Sequence, residues 1–262
     1  MSVFPHRLLI QAVGPLHEAV APERNAGTDR LLALVLTFVA GAVNAGALVA
    51  VGQYTSHMSG IVSAVADNLA LGAWMLVAGG IGALLAFTLG AAASAWLINW
   101  GRRHRVGEQY ALPLLLEAAL LAGFGLAGLA LPAGGAFAAL AVPLLCFIMG
   151  LQNATITKVS GARMRTTHVT GIVTDIGIEL GKLAYWNRDP LWPGPAVRAD
   201  RPKLRLLTAL LAMFFLGGVV GALGFALAGY ATTLPLALLL ALFGGAPAVA
   251  RALARTGVSR RA

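Results

Sequence analysis

The sequence predicts an all-α, multi-pass membrane protein, and three observations lead to this fold class. Of the 262 residues, 58% are hydrophobic and only 11% are charged, and the mean hydropathy is +0.80. A soluble domain carries about 25% charged residues, so this chain has too few charges to cover a surface in water. The apolar residues form long unbroken runs, whereas a transmembrane β-barrel would show alternating segments of about ten residues. The 32 glycines are typical of membrane helices that approach each other closely.

Six of the apolar runs are long enough to cross a bilayer, because a helix needs about 20 apolar residues to do so. Two further segments, residues 57–71 and 168–186, are shorter and more polar. We therefore expect six transmembrane helices plus two short re-entrant or broken helices. The six long runs cover residues 30–51, 73–100, 110–131, 136–156, 204–229 and 232–250.

The two short segments begin with the same motif, T-[ST]-H-[MV]-[ST]-G-I-V-[ST]. It reads T-S-H-M-S-G-I-V-S at residues 55–63 and T-T-H-V-T-G-I-V-T at residues 166–174. A second pattern, G-x-x-N-A, precedes each copy, at residues 41–45 and 150–154. Two patterns repeated in the same order indicate an internal duplication. The predicted organisation is a polar cytoplasmic leader (1–29), a first membrane repeat (30–131), a second membrane repeat (132–250) and a basic cytoplasmic tail (251–262).

The positive charges predict the orientation of the chain. All 19 Lys and Arg residues lie in the leader up to Arg30, in residues 102–105, 158–165 and 182–205, or in the tail. Because cytoplasmic loops are enriched in Lys and Arg, both termini are predicted to lie in the cytoplasm. The net charge of +9 then reflects orientation and contact with anionic lipid. No nucleic-acid motif accompanies it.

The same charge pattern predicts that the two repeats are inverted relative to each other. The first apolar run starts in the cytoplasm and ends outside, whereas residues 102–105 lie in the cytoplasm. One full span and one re-entrant segment therefore connect the first run to residues 102–105. Each repeat then has three full spans and one re-entrant segment. An odd number of crossings places the repeats in opposite orientations. An alternative arrangement with eight crossings puts residues 102–105 outside, which the charge rule disfavours.

The motif segments are the predicted site, because non-helical backbone at membrane depth survives only inside protein or beside a watery cavity. Inverted-repeat transporters bring broken helices from both halves together near the midplane, with helix N-termini aimed at a solute. Motif hydroxyls can cap such N-termini or leave the N–H groups free to hold an anion, and glycines allow close approach. These residues are Thr55, Ser56, Ser59 and Gly60 in the first copy and Thr166, Thr167, Thr170 and Gly171 in the second.

His57 and His168 are the strongest single candidates, since histidine is costly inside a membrane and titrates near neutral pH. Each histidine can couple protons or bind the solute, or it can lock its loop to the next helix. A zinc site is disfavoured, because two histidines fall short of the usual number of ligands. We expect no cofactor.

Three carboxylates and two amides complete the predicted site. Asp67 and Asp175 are expected to face the solute or a proton relay. Glu179 lies four residues after Asp175 on the same helical face, and a pair with Lys182 is its alternative role. Late in the preceding spans, one amide of each copy is expected to support the loop backbone: Asn44 and Asn153.

These motifs resemble those of the YoaK family of bacterial membrane proteins. Residues 150–182, G-L-Q-N-A-T-I-T-K-V-S-G-A-R-M-R-T-T-H-V-T-G-I-V-T-D-I-G-I-E-L-G-K, are similar to the second motif block of that family, and residues 52–63, G-Q-Y-T-S-H-M-S-G-I-V-S, to its first. The resemblance extends from about residue 30 to about residue 250 and implies an inner-membrane protein of about six spans. Many members have N-M-T-G where this chain has H-M-S-G at residues 57–60. We therefore give the second copy more weight, with His168 and Asp175 at its centre.

The leading functional hypothesis is a secondary transporter or channel for a small solute, for which the helix N-termini suggest an anion. The two T-[ST]-H-x-[ST]-G segments form its site, and we expect no enzymatic activity. One alternative is an intramembrane enzyme that uses His168 and Asp175 as an acid–base pair. The other is a non-transporting membrane scaffold. The expected partners are the lipid bilayer and a small-molecule solute, and a homo-oligomer is compatible with the sequence.

The inverted arrangement predicts that the two motif loops face opposite sides of the membrane. Cys146 is the sole cysteine, so Gln53→Cys and Ser160→Cys can be introduced one at a time into a Cys146→Ala background. Labelling with a membrane-impermeant maleimide should modify Gln53→Cys from outside and Ser160→Cys from the cytoplasmic side. Modification of both cysteines from the same side would contradict the inversion.

Overall fold

The computed structural model describes residues 26–104, 109–131, 136–159, 167–187 and 195–258. Most of the predicted leader, the end of the tail and Thr166 lie outside these residues. Within them, each of the six apolar runs is helical and each motif segment is a short helix. A 3₁₀ turn at Gly229–Thr232 connects the last two helices. The helices are α1 (Ala26–Val51), α2 (Met58–Ala70), α3 (Trp74–Arg103), α4 (Ala111–Ala130), α5 (Ala136–Val159), α6 (Val169–Ala184), α7 (Arg201–Ala228) and α8 (Thr233–Val258).

Local sequence explains the start of α7, which lies three residues before the predicted apolar run. Asp200 precedes the helix, and its carboxylate accepts a hydrogen bond from the backbone N–H of Lys203 at 2.9 Å. Pro202 occupies the first turn, where its missing N–H costs no hydrogen bond. The helix therefore begins among charged residues and becomes apolar only after its first turn.

The long helices have the length and composition of membrane spans. Five candidate spans occur among the described residues, and the fifth, Arg201–Val249, has 49 residues. A continuous helix of that length would measure about 73 Å, more than twice the thickness of a hydrocarbon core. The chain instead turns at Gly229, whose φ is 56°, and continues as α8. These features indicate a multi-pass helical membrane protein.

Large apolar side chains on the outside of the bundle agree with a lipid environment. Leu85 and Leu89 of α3 are about 60% exposed, and Phe215 and Leu227 of α7 are 68% and 88% exposed. Only 17% of the α3 span is buried, against 56% for the spans in α1 and α5. The first helix of each repeat therefore lies at the centre of the bundle, and α3 faces outward.

A four-residue pattern, F-x-x-G, forms the closest contacts between helices. In α1 and α7 the contact is reciprocal: a Cβ added to Gly41 would overlap the carbonyl oxygen of Phe214, and one added to Gly217 would overlap that of Phe38. Glycine is required at both positions because the two backbones touch. The two helices run parallel, since Phe38 meets Gly217 and further along Ala42 meets Gly221.

The other pair of central contacts repeats this geometry between α3 and α5. A Cβ on Gly90 would overlap the carbonyl oxygen of Phe147, and one on Gly150 would overlap that of Phe87. Each repeat contributes one F-x-x-G to its first long helix and one to its second. Each pattern packs against the other repeat, so the structure supports the duplication and joins its two halves.

The F-x-x-G contacts predict a position-dependent effect of adding one methyl group to α3. Gly90→Ala should lower the melting temperature of the detergent-solubilised protein, because the methyl group would push apart two touching backbones at a cost of about 1–3 kcal/mol. Gly82→Ala in the same helix is the matched control, since its Cβ meets nothing within 4 Å. Equal melting temperatures for the two variants would refute the close packing.

Candidate functional site

Asn44 holds the loop that precedes the first motif helix. Its side-chain oxygen accepts hydrogen bonds from the backbone N–H groups of Thr55 at 3.1 Å and Ser56 at 3.0 Å. Asn44 lies two turns before the end of α1 at Val51, a distance of roughly 10 Å along the helix axis. The chain therefore leaves α1 and folds back along it before α2 begins.

Asn153 has the same role in the second repeat, although its partner is different. Its side-chain oxygen accepts a hydrogen bond from the hydroxyl of Thr167 at 2.9 Å, and its amide nitrogen donates to the carbonyl of Met149 at 2.9 Å. Asn153 lies six residues, or roughly 9 Å, before the end of α5. Asn44 thus binds the backbone of its loop, whereas Asn153 binds a side-chain hydroxyl at the end of its loop.

Both motif helices begin directly after their histidines and have open N-termini. His57 and His168 occupy the N-cap positions, and neither helix has a side-chain cap. The first backbone hydrogen bonds join Ile61 N–H to the His57 carbonyl and Ile172 N–H to the His168 carbonyl, each at 3.1 Å. The N–H groups of the preceding three residues have no partner within their helix. The capping role considered for the motif hydroxyls is therefore not used here.

The two open N-termini line one cavity of about 1040 Å³ between the repeats. Its wall combines polar groups of both motifs with aromatic residues, including Phe87 and Phe214 from two of the four F-x-x-G patterns. The structure thus brings the two motifs together from opposite ends of the sequence. The predicted residues on this wall are Asn44, Ser56, His57, Ser59, Asn153, Thr167, His168 and Thr170.

Each motif glycine leaves space for the histidine ring of its own motif. A Cβ added to Gly60 would overlap the ring of His57, and one added to Gly171 would overlap the ring of His168. The predicted close approach is therefore made by an imidazole ring of the same motif. Each ring consequently lies over the first turn of its helix, beside the open N–H groups.

Several predicted residues do not line the cavity. Thr55 is buried in the loop, and its hydroxyl oxygen has no hydrogen-bond partner among the described residues. Asp67 is exposed near the end of α2, and Thr166 lies outside the described residues. Binding of a solute by Thr55, Thr166 or Asp67 stays a prediction without support from the geometry.

Asp175 and Glu179 belong to an ion-pair cluster that joins α6 to the start of α7. Lys203 lies 3.2 Å from the Asp175 carboxylate and 4.0 Å from that of Glu179, and Lys182 lies 2.9 Å from Glu179. The backbone N–H of Asp200 donates to the second Glu179 oxygen at 2.8 Å. The hydrogen bonds from Lys182 and Asp200 lower the pKa of Glu179. The alternative role predicted for Glu179, a pair with Lys182, is present, and neither carboxylate lines the cavity.

The ionic side chain on the cavity wall is positive. Lys158 lines the cavity, and no Asp or Glu does so among the residues that the structure describes. Each open helix N-terminus adds roughly half a positive charge. In the same residues, no group of three His, Cys, Asp or Glu side chains is close enough to hold a metal ion.

Two features of the interior lie outside the predicted site. Glu117 of α4 is fully buried, and neither of its carboxylate oxygens has a partner among the described residues. In the sequence, Glu117 is recognisable as a single carboxylate within an apolar run. Gln152 donates to the Leu36 carbonyl at 3.2 Å and so links α5 to α1. The four F-x-x-G patterns were also available in the sequence, as two further matched elements of the duplication.

The sequence model of one family, described as a protein of unknown function (DUF1275), matches residues 32–246. The chain belongs to the DUF1275 family. YoaK is a member of the same family, so the resemblance inferred from the motifs is confirmed. No curated protein and no solved structure matches the chain. Membership of the DUF1275 family supplies no activity, and the function has to be argued from the cavity.

The role of Asn44 predicts a loss of stability when its amide is removed. Asn44→Leu leaves the buried N–H groups of Thr55 and Ser56 without an acceptor, at a cost of about 1–3 kcal/mol. The melting temperature in detergent should fall. Asn68→Leu is the matched control, because the Asn68 side chain donates to the Ala64 carbonyl of its own helix and supports no loop backbone among the described residues. A fall of the same size in both variants would show that Asn44 does not hold the loop.

Proposed function

We propose that this DUF1275 protein is an inner-membrane secondary transporter or channel for a small anion, bound between the two motif segments. The observation that carries the proposal is the cavity of about 1040 Å³ lined by both copies of the motif. Two half-sites from a duplicated chain face one solute-sized space, as in inverted-repeat carriers.

The loop geometry supports re-entrant segments over full spans. α2 and α6 have 13 and 16 residues, so they measure about 20 Å and 24 Å, less than the roughly 30 Å of a hydrocarbon core. Each also begins beside an asparagine well before the end of the preceding helix. With three full spans and one such segment in each half, the charge pattern places both termini in the cytoplasm and inverts the halves.

An anion is the solute class that fits the polar wall. Two uncapped helix N-termini present backbone N–H groups to the cavity, a typical arrangement for binding phosphate or carboxylate. Ser56, Ser59 and Thr170 add hydroxyl donors. The aromatic part of the wall accommodates an apolar portion of the solute.

The position of Asp175 bears on the alternative of an intramembrane enzyme. An acid–base pair must reach the same reacting group. His168 lines the cavity, whereas Asp175 is paired with Lys203 and is absent from the cavity wall. This geometry favours transport over catalysis by His168 and Asp175. A ligand-binding experiment distinguishes the third hypothesis, a scaffold, from transport.

Thermal unfolding of the purified protein tests anion binding. The sodium salts of chloride, phosphate, acetate and benzoate are the probes, with choline chloride as a test of the cation. At least one anion should raise the melting temperature, because a ligand that binds only the folded state stabilises it. His57→Ala combined with His168→Ala should abolish the shift.

His104→Ala is the control for the histidine substitutions, since His104 is exposed at the end of α3, away from the cavity. It should keep the full anion response. If every stabilising anion shifts the double histidine variant as much as the wild type, the site assignment is wrong. If no anion shifts the wild type, and the histidine substitutions only lower its stability, the scaffold hypothesis is correct.

A further inference from the structure

A second pocket of about 440 Å³ adjoins the cavity on the side of the first motif. It lies between α2 and α3, with Asn68, Gly79 and Gly80 on its wall. Tyr54 and His57 line both this pocket and the cavity. These two side chains are therefore the boundary between the two spaces, and we call the smaller space the access pocket.

The second repeat has different side chains at the equivalent positions. When His57 is aligned with His168, Ala64 corresponds to Asp175 and Asn68 corresponds to Glu179. Small or neutral side chains of the first repeat are thus replaced by the two carboxylates of the ion-pair cluster.

The long helices show the same replacement. When the F-x-x-G of α3 is aligned with that of α7, Leu76 corresponds to Lys203. The glycines at 79 and 80 correspond to Leu206 and Leu207, which pack against the hydrophobic core. Charged or larger side chains therefore stand in the second repeat at the positions where small or neutral ones line the access pocket in the first.

We propose that the access pocket is the route by which the anion reaches the cavity from the side of the first motif, and that the cluster of Asp175, Glu179 and Lys203, which holds α6 against α7, is the gate of the matching route in the second repeat. This inference rests on the proposed transport function. By the charge pattern, the access pocket faces outward and the gate faces the cytoplasm. The first-repeat side is open to solute, and release of Lys203 from α6 opens the second.

The energetics of the cluster suit a gate that must open. The Glu179 side chain is 2% exposed and keeps its partner Lys182 on its own helix when α7 moves, although it then loses the hydrogen bond from Asp200. The side chains of Lys203 and Asp175 are each 43% exposed, and ion pairs at such positions are weak. The contact between α6 and Lys203 is therefore the part of the cluster that can break.

Side-specific labelling of the cavity tests the gate. Ala154 lines the cavity, so Ala154→Cys in a Cys146→Ala background reports access to it. A charged methanethiosulfonate reagent, which does not cross membranes, is applied to intact spheroplasts and to inside-out vesicles. The cysteine should react faster from outside. Lys203→Met should raise the cytoplasmic rate about fivefold, and Lys203→Arg, which keeps the charge, should leave it low.

A converse variant tests the same idea in the first repeat. Ala64→Asp combined with Leu76→Lys builds the corresponding ion pair there and should slow labelling from outside about fivefold. The gate is refuted if neither the Lys203 change nor the built pair alters the labelling rates. Anion binding measured by thermal shift on the same variants then decides the proposed function separately, because that binding is retained if only the gate is wrong.

Discussion

Hydrogen bonds to two asparagine side chains hold the loops that precede both motif helices. Bilayer interiors offer no water to exposed N–H and C=O groups, so a loop at that depth needs protein partners. Asn44 supplies an acceptor to two backbone N–H groups, and Asn153 supplies one to the hydroxyl of Thr167. With the loops held, the following helices begin at the cavity with their N-termini open. The histidines, the hydroxyls and the cavity itself all depend on this support.

The two repeats match at the wall of the cavity and differ farther along the motif helices. Residues that face the cavity match between the repeats: asparagine with asparagine, histidine with histidine, and serine with threonine. Residues farther along the motif helices differ in charge, as Ala64 and Asp175 show. Under the proposed transport function, the unmatched carboxylates belong to the path of the solute, and the matched polar residues belong to its site.

Much of this architecture could be predicted from the sequence, because the bilayer imposes a length on every span. The apolar runs became helices close to their predicted bounds, and both motif helices began one residue after the histidine. The repeated motif also predicted that the two motif segments lie next to each other, although no single residue specified this contact. The partner of Asp175 could not be predicted, since Lys203 lies beyond a loop whose path the sequence does not determine. The rotation of α2 that turns Asp67 away from the cavity depends on packing against α3, which periodicity alone does not resolve.

The reciprocal F-x-x-G contacts have a consequence for the biogenesis of the protein. Each long helix of the first half that carries this pattern packs against a helix of the second half: α1 against α7, and α3 against α5. During synthesis, α1 enters the membrane long before α7 exists, so its glycine face has only lipid to contact. Insertion of α1 into the membrane must therefore precede its packing against α7, because most of the chain is synthesised between the two helices. Two halves expressed as separate polypeptides would each lack their main packing partners, and we expect them to be stable only when they are produced together.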